Sequence, residues 1–216
     1  MIALMVLAAA IDVDPALLEK LAAHDERMEK HLDAHELTVD SVVRDLDGSG
    51  KVTHTATSKL KQKRVGGKLK TTVLSATKDG ADDKKGEQER ADERDEKNER
   101  TESPFAARNQ SKYRFRVLGP AAKDATQLLI SFDPKGEKSD KVLEGVAVVD
   151  PEAGELVKLA MKPAKLPMFA DSMRMEIDYE NRTDTGRNIS KFVLAGAGGV
   201  LFIKRQGDLT MKFSFE

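Results

Sequence analysis

Separate runs of alternating apolar and polar residues dominate the carboxyl-terminal half of this chain. Every second residue is apolar in the run KYRFRV (112–117), and the same holds for MRMEIDY (173–179) and LTMKFSF (209–215). Successive side chains of a β-strand point to opposite faces, so each run predicts a strand with one apolar and one polar face. The runs QLLISF, EGVAVV, ELVKLAM, ISKFVLAG and GVLFIKR bring the total to about eight strands. No segment between them is suited to a crossover helix, which favours an antiparallel sheet.

Turn sequences separate these runs. Asp133-Pro134 and the stretch DPEAG (150–154) carry typical turn residues, and so do Gly198-Gly199 and Gly207-Asp208. The glycines of AGAGGV (195–200) do not have the spacing of a dinucleotide-binding loop. We therefore interpret this stretch as a bend or turn.

The amino-terminal half begins with one helix and continues as three strands. Asp14 precedes Pro15, which suits a helix start because the Asp side chain accepts from free amides and Pro loses no hydrogen bond. The apolar residues that follow at helical spacing predict one amphipathic helix from Pro15 to Ala34; they are Leu17, Leu18, Leu21, Met28 and Leu32. Beyond it, alternating and Thr-rich segments with turns at DGSG and Gly66-Gly67 predict a three-stranded meander.

Residues 79–103 (DGADDKKGEQERADERDEKNERTES) contain no large apolar residue. Eleven acidic residues stand there against six basic ones. Such a segment cannot bury enough apolar surface to offset the entropy lost on ordering. It is predicted to be a charged, flexible insertion, either a frayed helix or disordered, within a single domain over residues 12–216.

Composition excludes several classes of function. A formal net charge of −1 provides no overall attraction to nucleic acid. The absence of cysteine excludes disulfides, thiolate metal sites and a cysteine nucleophile. The start MIALMVLAAAI resembles the apolar core and small-residue cleavage site of a secretory signal, although no basic region precedes it. Residues 1–11 are therefore predicted to be a signal peptide truncated at its start, which implies export to the periplasm.

The motif DLDGSGKV (45–52) raises the question of a calcium loop. A calcium loop that starts at Asp45 needs a bidentate Glu at its twelfth position, which is Ala56 here. Both flanking segments also alternate as strands, and Asp-Gly-Ser-Gly suits a tight turn. The motif therefore predicts a hairpin.

No catalytic constellation or metal site emerges from the remaining residues. His31 and His35 are spaced as a metal-binding pair on one helix face with His24, but no H-E-x-x-H motif is present. No serine lies in a G-x-S-x-G turn and no phosphate-binding loop exists. We expect no enzyme activity, no cofactor and no metal ligand.

The apolar side of the sheet is the remaining candidate for a site. Five methionines lie in the carboxyl-terminal half, and methionine adapts to varied apolar partners. They either fill an ordinary core or line a hollow that a curved sheet with one helix leaves uncovered. Pattern alone does not choose between these two interpretations.

The order of these segments resembles the outer-membrane lipoprotein-sorting family, the LolA/LolB-like periplasmic half-barrel carriers. The resemblance lies in an apolar start, a helix, a meander with LDGSGKV, and then KYRFRVLG, EGVAVVDPEAGELVKL, ADSMRMEIDYE and GVLFIKRQGDLTMKFSFE. It implies a mainly β (α+β) fold, a twisted antiparallel half-barrel of about eleven strands curved around one amino-terminal helix. It further implies non-catalytic transport of lipoprotein acyl chains or lipid in an apolar cavity, with a membrane-bound donor or acceptor protein as a further partner and no nucleic acid.

Under this hypothesis, the inward-facing apolar residues of three strands line the cavity. They are Tyr113, Phe115, Val117, Met173, Met175, Ile177, Met211 and Phe213. The alternative hypothesis is an envelope protein-interaction or stress-sensing module that uses the same fold.

Overall fold

A computed structural model of the protein describes residues 11–97, 103–200 and 203–215. The helices are α1 (Pro15–Ala34), α2 (Lys84–Lys97) and α3 (Ala107–Gln110). The strands are β1 (Ile11–Asp12), β2 (Leu37–Leu46), β3 (Val52–Val65), β4 (Lys68–Lys78), β5 (Ala81–Asp82), β6 (Tyr113–Ala121), β7 (Asp124–Pro134), β8 (Leu143–Asp150), β9 (Glu155–Pro163), β10 (Ala170–Asp178), β11 (Asn181–Thr183), β12 (Gly186–Asn188), β13 (Lys191–Val200) and β14 (Ile203–Phe215).

Twelve of the strands in this part of the chain form one antiparallel sheet. Its order is β1-β6-β7-β8-β9-β10-β13-β14-β2-β3-β4-β5, and β11 and β12 form a separate hairpin. The order is linear, so the sheet is open and has two edges. The predicted fold, a mainly β open half-barrel with a helix, is confirmed.

Helix α1 has the bounds that the sequence predicts. The Asp14 side chain accepts a hydrogen bond from the Ala16 amide at 2.9 Å, and Pro15 occupies the first turn. The helix ends where His35 adopts an extended conformation. Leu17, Leu21 and Met28 are buried on one face, as expected for a surface helix.

The register places the apolar residues of the sheet on one continuous inner face. Phe115 pairs with Phe132, and the row continues through Gly145 to Met161. Side chains directly opposite each other in a sheet point to the same side, so this row extends across β6–β9 on one face. The two hydrophobic cores that the described residues form both lie on this face.

The two cores differ in their side chains. The aromatic core is built around α1 and β6–β9; its buried members include Phe105, Phe115, Phe132, Tyr113, Tyr179, Leu21 and Leu159. The aliphatic core lies on β2–β4; its buried members are Leu37, Val39, Leu60, Val73, Ala76 and Ala91. Leu32 near the end of α1 packs against the aliphatic core. Helix α1 therefore crosses the inner face from one core to the other.

Residues 84–97 of the charged segment form helix α2, which packs against β4. The Gln88 side chain accepts from the Val73 amide at 2.8 Å and donates to the Thr71 carbonyl at 3.0 Å. The Asp95 carboxylate accepts from the Thr71 amide, and Ala91 is buried. The composition predicts a solvated segment, whereas residues 84–97 form a helix that packs against the sheet. Composition does not indicate this contact because polar side chains make it, with little buried apolar area. They satisfy backbone groups of a strand edge that would otherwise invite pairing with another chain.

Several predicted turns are present, but three predicted turn dipeptides lie within strands. One of them, Asp133-Pro134, forms the end of β7 and pairs with Arg114 and Tyr113. The hairpins β2–β3 and β3–β4 turn at DGSG and Gly66-Gly67, and β8–β9 turns at DPEAG, as predicted. Gly198-Gly199 and Gly207-Asp208, predicted as turns, instead lie inside β13 and β14, and β13–β14 reverses after Val200. A Cβ at Gly198 would lie 2.3 Å from the Phe169 carbonyl oxygen, so glycine here permits close backbone contact.

The predicted signal segment lies almost wholly outside the described residues. Residues 1–10 belong to the part that is not described. Ile11 pairs with Val117 at the sheet edge. No described helix is long and apolar enough to cross a membrane.

Candidate functional site

A cavity of about 330 Å³ lies beneath the second half of α1, between the aromatic and aliphatic cores. Its apolar wall comes from α1, β2, β4, β14 and the segment around β12. These apolar residues are Met28, Leu32, Leu37, Leu69, Ile189 and Phe213. The volume falls at the lower end of the range for ligand pockets, about 300–1,000 Å³.

One wall of this cavity is polar and buried. Asp25, Ser103, Tyr179 and Asn188 lie there, and only Ser103 is more than slightly exposed. Burial raises the pKa of the Asp25 carboxyl above its ordinary value, against the lowering effect of a hydrogen bond from Ser103. Burial also raises the pKa of the Tyr179 hydroxyl, and the nearby Asp25 carboxylate adds to that shift. Burial therefore shifts the pKa of both groups in the direction of their uncharged forms.

The β11–β12 hairpin reaches this wall through polar contacts with α1 and β9. The His24 imidazole lies 2.8 Å from the Arg187 carbonyl oxygen, and its Nδ1 accepts from the Leu156 amide at 3.3 Å. The buried Glu155 carboxylate accepts from Arg182 at 3.0 Å and from the Arg187 amide at 3.3 Å. The hairpin is thus fixed against α1 by buried hydrogen bonds and charges rather than by a large apolar contact.

The middle strands of the inner face carry an apolar row that is only partly covered, although Met175 at one end packs against the aromatic core. Met175 pairs with Leu194, Leu194 with Leu209, and Leu209 with Val43. Met175, Leu194 and Leu209 are half-buried, and Val43 is 40% exposed. We call these four residues the uncovered row. It leaves apolar sheet surface accessible where helix α1 does not seal it.

A wider groove of about 1010 Å³ adjoins one end of the uncovered row. Met173 and Met175 line it together with Tyr113, Val142 and Leu143. Lys112, Glu137, Asp140 and Lys141 supply its polar rim. The groove therefore continues the apolar surface of the row toward a charged margin.

All eight residues predicted to line a cavity lie on the inner face, but in different surroundings. Tyr113 and Phe115 are buried in the aromatic core, and Val117, Met175 and Ile177 pack against it. Met211 and Phe213 pack against the aliphatic core. Phe213 lines the cavity beneath α1, whereas Tyr113, Met173 and Met175 line the groove.

Much of the cavity wall comes from positions that the sequence did not single out. Asp25 and Glu29 lie on the polar side of the α1 pattern, Leu69 lies near the start of β4, and Asn188 ends the three-residue strand β12 with Ile189 directly after it. Tyr179 continues the alternation of 173–179 and could have been included on that basis. For Asn188 and Ile189 no sequence signal indicated a wall position.

The three histidines of α1 have separate environments. His24 contacts the β11–β12 hairpin, whereas His31 stacks on His35 with ring centroids 3.9 Å apart. The Nδ1 atom of His31 lies 3.5 Å from the Asp184 carboxylate. Within the described residues, no group of three His, Asp or Glu side chains could hold a metal ion.

The DGSG motif forms a turn closed by its own aspartate. The Asp47 carboxylate accepts from the Ser49 amide at 2.9 Å, from the Ser49 hydroxyl at 2.7 Å and from the Lys51 amide at 3.0 Å. These hydrogen bonds lower the pKa of Asp47. The carboxylate therefore stabilises the β2–β3 turn, as an Asx turn does.

Comparison with known proteins leaves the family open. No family model matches the sequence, and no curated protein matches it either. The resemblance to the lipoprotein-sorting carriers therefore stays a hypothesis.

Solved structures share only a low similarity with this chain. A DUF1329 family protein from Desulfovibrio piger is 10% identical, with a TM-score of 0.41 over 94% of this chain and 92% of that chain. MucB in complex with MucA(peri) is 9% identical, with a TM-score of 0.27 over 90% of this chain and 93% of that chain. The MucA/MucB complex of Pseudomonas aeruginosa gives 10% identity and a TM-score of 0.27 over 90% and 94%. No conclusion about function follows from similarities this low.

Proposed function

We propose that this protein binds lipid acyl chains, without catalysis, on the inner face of its half-barrel and carries lipid or lipidated protein through the periplasm. The observation that supports this proposal is the uncovered row of Met175, Leu194, Leu209 and Val43. The row joins the groove at Met175, and the cavity beneath α1 lies on the same face. A periplasmic location rests on the apolar start of the sequence.

The energetics of an acyl ligand suit such a surface. Each methylene removed from water contributes about 0.8 kcal/mol, so a long chain needs a shielded apolar path and no special chemistry. Half-buried apolar side chains on a sheet face provide that path. The polar rim of the groove leaves room for a headgroup in water.

Native mass spectrometry of the protein purified from its own envelope tests the proposal directly. A co-purifying lipid, or an acylated peptide, supports the carrier function. Protein that is empty and that also fails to take up a fluorescent fatty acid contradicts it.

A pair of variants on β14 tests whether the inner face is the binding surface. Leu209→Asp places a charge in the uncovered row, and we expect it to weaken fatty-acid binding by about tenfold or more, because the chain would contact a desolvated carboxylate. Thr210→Asp lies on the opposite face of the same strand and serves as the matched control. Equal affinities of the two variants would argue against the inner face.

A second pair tests the cavity beneath α1. Leu69→Phe adds volume to a residue of the cavity wall, whereas Leu74→Phe changes an exposed leucine of the same strand. We expect only Leu69→Phe to weaken binding. If both variants bind the fatty acid as the wild type does, the cavity takes no part in ligand binding. The groove and the uncovered row are then the remaining binding surfaces.

A specific surface feature favours a second candidate, a protein-interaction module. In the loop between β9 and β10, Met168 is 81% exposed, Phe169 is 61% exposed and Leu166 lies beside them. Phe169 has a φ of 70°, a conformation that costs a bulky residue about 1–3 kcal/mol. Retention of an exposed aromatic residue in this conformation is expected where the side chain contacts a partner.

Capture with envelope extract separates the two candidates. A Met168→Ser/Phe169→Ser variant that loses a bound polypeptide, while fatty-acid uptake persists, supports the interaction module. Loss of fatty-acid uptake in the same variant would instead connect the loop to lipid loading.

A further inference from the structure

We propose that the outer face of the sheet, at strands β2–β4 and β14, docks on a bilayer of anionic phospholipid. Six lysines carry this inference, and we call them the outer lysine face: Lys59, Lys61, Lys63, Lys68, Lys70 and Lys212. The formal net charge of −1 does not reveal this local excess of positive charge. The inference goes beyond the proposed function, because it assigns a partner to the face opposite the one proposed to bind acyl chains.

The register of the sheet places these six side chains on its outer side. Leu60 on β3 and Val73 on β4 lie directly opposite each other and are buried in the aliphatic core on the inner face. Successive side chains of a strand alternate between the two faces, and directly opposite ones share a face. The lysines of β3 and β4 occupy the alternate positions and therefore point outward. On β14, Lys212 lies between the inward-facing Met211 and Phe213 and points outward for the same reason.

Two of the six lysines form ion pairs on this face. The Lys59 amino group lies 3.8 Å from the Asp40 carboxylate, and that of Lys61 lies 2.7 Å from the Glu36 carboxylate. Within the described parts of the chain, no ion pair joins a carboxylate to the other four lysines. The exposed Lys68, Lys70 and Lys212 are among these four. The outer lysine face therefore carries positive charge that the protein itself does not balance.

The pairing of the strands brings like charges directly together. Lys63 lies opposite Lys70, and Lys212 lies opposite Lys191 on β13. Like charges directly opposite each other destabilise a sheet. Retention of two such pairs is expected where an anion outside the protein compensates them.

Helix α2 brings acidic residues to β4, but on the inner side. Its Asp95 carboxylate accepts from the Thr71 hydroxyl at 2.9 Å, and its Ala91 is buried in the aliphatic core. Thr71 is adjacent to Lys70 along β4, so the two side chains point to opposite faces. The outer lysine face is therefore not covered by α2.

Alternating charges limit the positive surface on the other side of β14. Lys191 lies directly opposite Asp178 on β10. The Lys158 amino group on β9 contacts the Asp178 carboxylate at 3.1 Å and the Glu176 carboxylate at 2.7 Å. Lysines and carboxylates thus balance each other on β9, β10 and β13, and the excess of positive charge is confined to β14 and β2–β4.

The composition of the outer lysine face favours a lipid surface over a protein partner. The exposed side chains beside the lysines include the hydroxyls of Thr72, Ser75 and Ser214, and one apolar side chain, Val65, lies at the hairpin tip opposite Lys68. Protein–protein interfaces are depleted of lysine and enriched in aromatic residues. Clusters of about four to eight basic residues bind anionic headgroups through charge alone, without apolar anchors.

Sedimentation of the wild-type protein with vesicles tests the proposal. The two vesicle types are phosphatidylcholine alone and phosphatidylcholine with about one third phosphatidylglycerol, which differ in surface charge. We expect about tenfold or more tighter binding to the anionic vesicles, and loss of this difference at high salt, because ions screen the attraction. Equal binding to both vesicle types, or binding to neither, overturns the proposal.

Two triple variants assign the binding to this face. Lys68→Gln/Lys70→Gln/Lys212→Gln removes three exposed charges of the outer lysine face and should weaken binding to anionic vesicles by about tenfold or more. Lys84→Gln/Lys85→Gln/Lys123→Gln removes the same net charge from exposed positions elsewhere and should bind as the wild type does. Equal losses in the two variants would show that net charge rather than this face governs binding, and the assignment would be wrong.

Two further measurements separate the alternatives. If polyglutamate binds in a lysine-dependent manner and anionic vesicles do not, the partner is an acidic polypeptide and the bilayer proposal is wrong. Uptake of a fluorescent fatty acid by Lys68→Gln/Lys70→Gln/Lys212→Gln should equal that of the wild type, because the three lysines point away from the inner face. If the wild type takes up no fatty acid but binds anionic vesicles through these lysines, the proposed function fails and this inference stands.

Discussion

The aromatic and aliphatic cores lie on the same sheet face, yet they are covered in different ways. The aromatic core is closed by α1 and by Phe105, whose ring lies 5.2 Å from that of Phe115 and 5.7 Å from that of Phe132. The aliphatic core receives Leu32 from α1 and Ala91 from α2, and its edge strand is satisfied by polar side chains. Apolar cover thus decreases across the sheet, and the cavity and the uncovered row lie where it is incomplete.

The largest effect is expected in the aromatic core, which we expect to contribute more to the free energy of unfolding than the aliphatic core does. Phe132→Ala removes a fully buried ring and should lower the free energy of unfolding by about 3–5 kcal/mol. Val73→Ala in the aliphatic core removes less apolar area and should cost about 1–3 kcal/mol. Urea unfolding of both variants measures the two values. Equal losses would show that the two cores contribute alike.

The next prediction concerns the polar cover of the aliphatic core. Gln88→Ala leaves the Val73 amide and the Thr71 carbonyl at the strand edge without this partner, and should cost about 1–3 kcal/mol. Amide hydrogen exchange should become faster at Val73. Glu89→Ala changes an exposed residue of the same helix and should leave both measurements unchanged. Unchanged exchange in Gln88→Ala would mean that α2 does not protect this edge.

A pH prediction addresses the contact between α1 and the β11–β12 hairpin. Burial lowers the pKa of His24 and of His31 below the ordinary 6.5, so the unfolded chain binds more protons than the folded one. Their contribution to stability is fully present above pH 6.5 and is lost as the pH falls below it. The Asp25 carboxyl has the opposite effect on the pH dependence. Burial raises its pKa above the ordinary 3.8, so its contribution to stability is lost as the pH rises.

Urea unfolding between about pH 7.5 and pH 5.5 measures this dependence. We expect the free energy of unfolding to fall over that range, and the His24→Gln/His31→Gln variant to flatten the curve. A wild-type curve without slope would show that the two histidines do not govern stability here.

The smallest effect is expected at the exposed loop that adjoins the groove. Phe169→Gly replaces a residue with φ of 70° by one that adopts this conformation readily, so stability should stay unchanged or rise by up to about 1 kcal/mol. A thermal melt measures the change. A clear loss of stability would mean that Phe169 packs against the fold rather than serving a partner.

Periodicity predicted the local elements well because helix and strand formation leave direct traces in the spacing of apolar residues. The helix from Pro15 to Ala34 and the hairpin turn at DGSG are examples. The turns expected at Gly198-Gly199 and Gly207-Asp208 were wrong, since glycine also occurs where two backbones approach closely. Composition likewise gave no indication that α2 would dock, because polar side chains and a single buried alanine hold it.

By itself, the sequence determined the class of fold, the bounds of α1 and the inner apolar residues of the sheet, because these follow from periods of 3.6 and 2 along the chain. Only the tertiary structure decided which of those residues stay accessible. The cavity wall gathers residues from Asp25 to Phe213, and its existence depends on how far one helix reaches across twelve strands. That distance is a property of packing between remote segments, which no local pattern records.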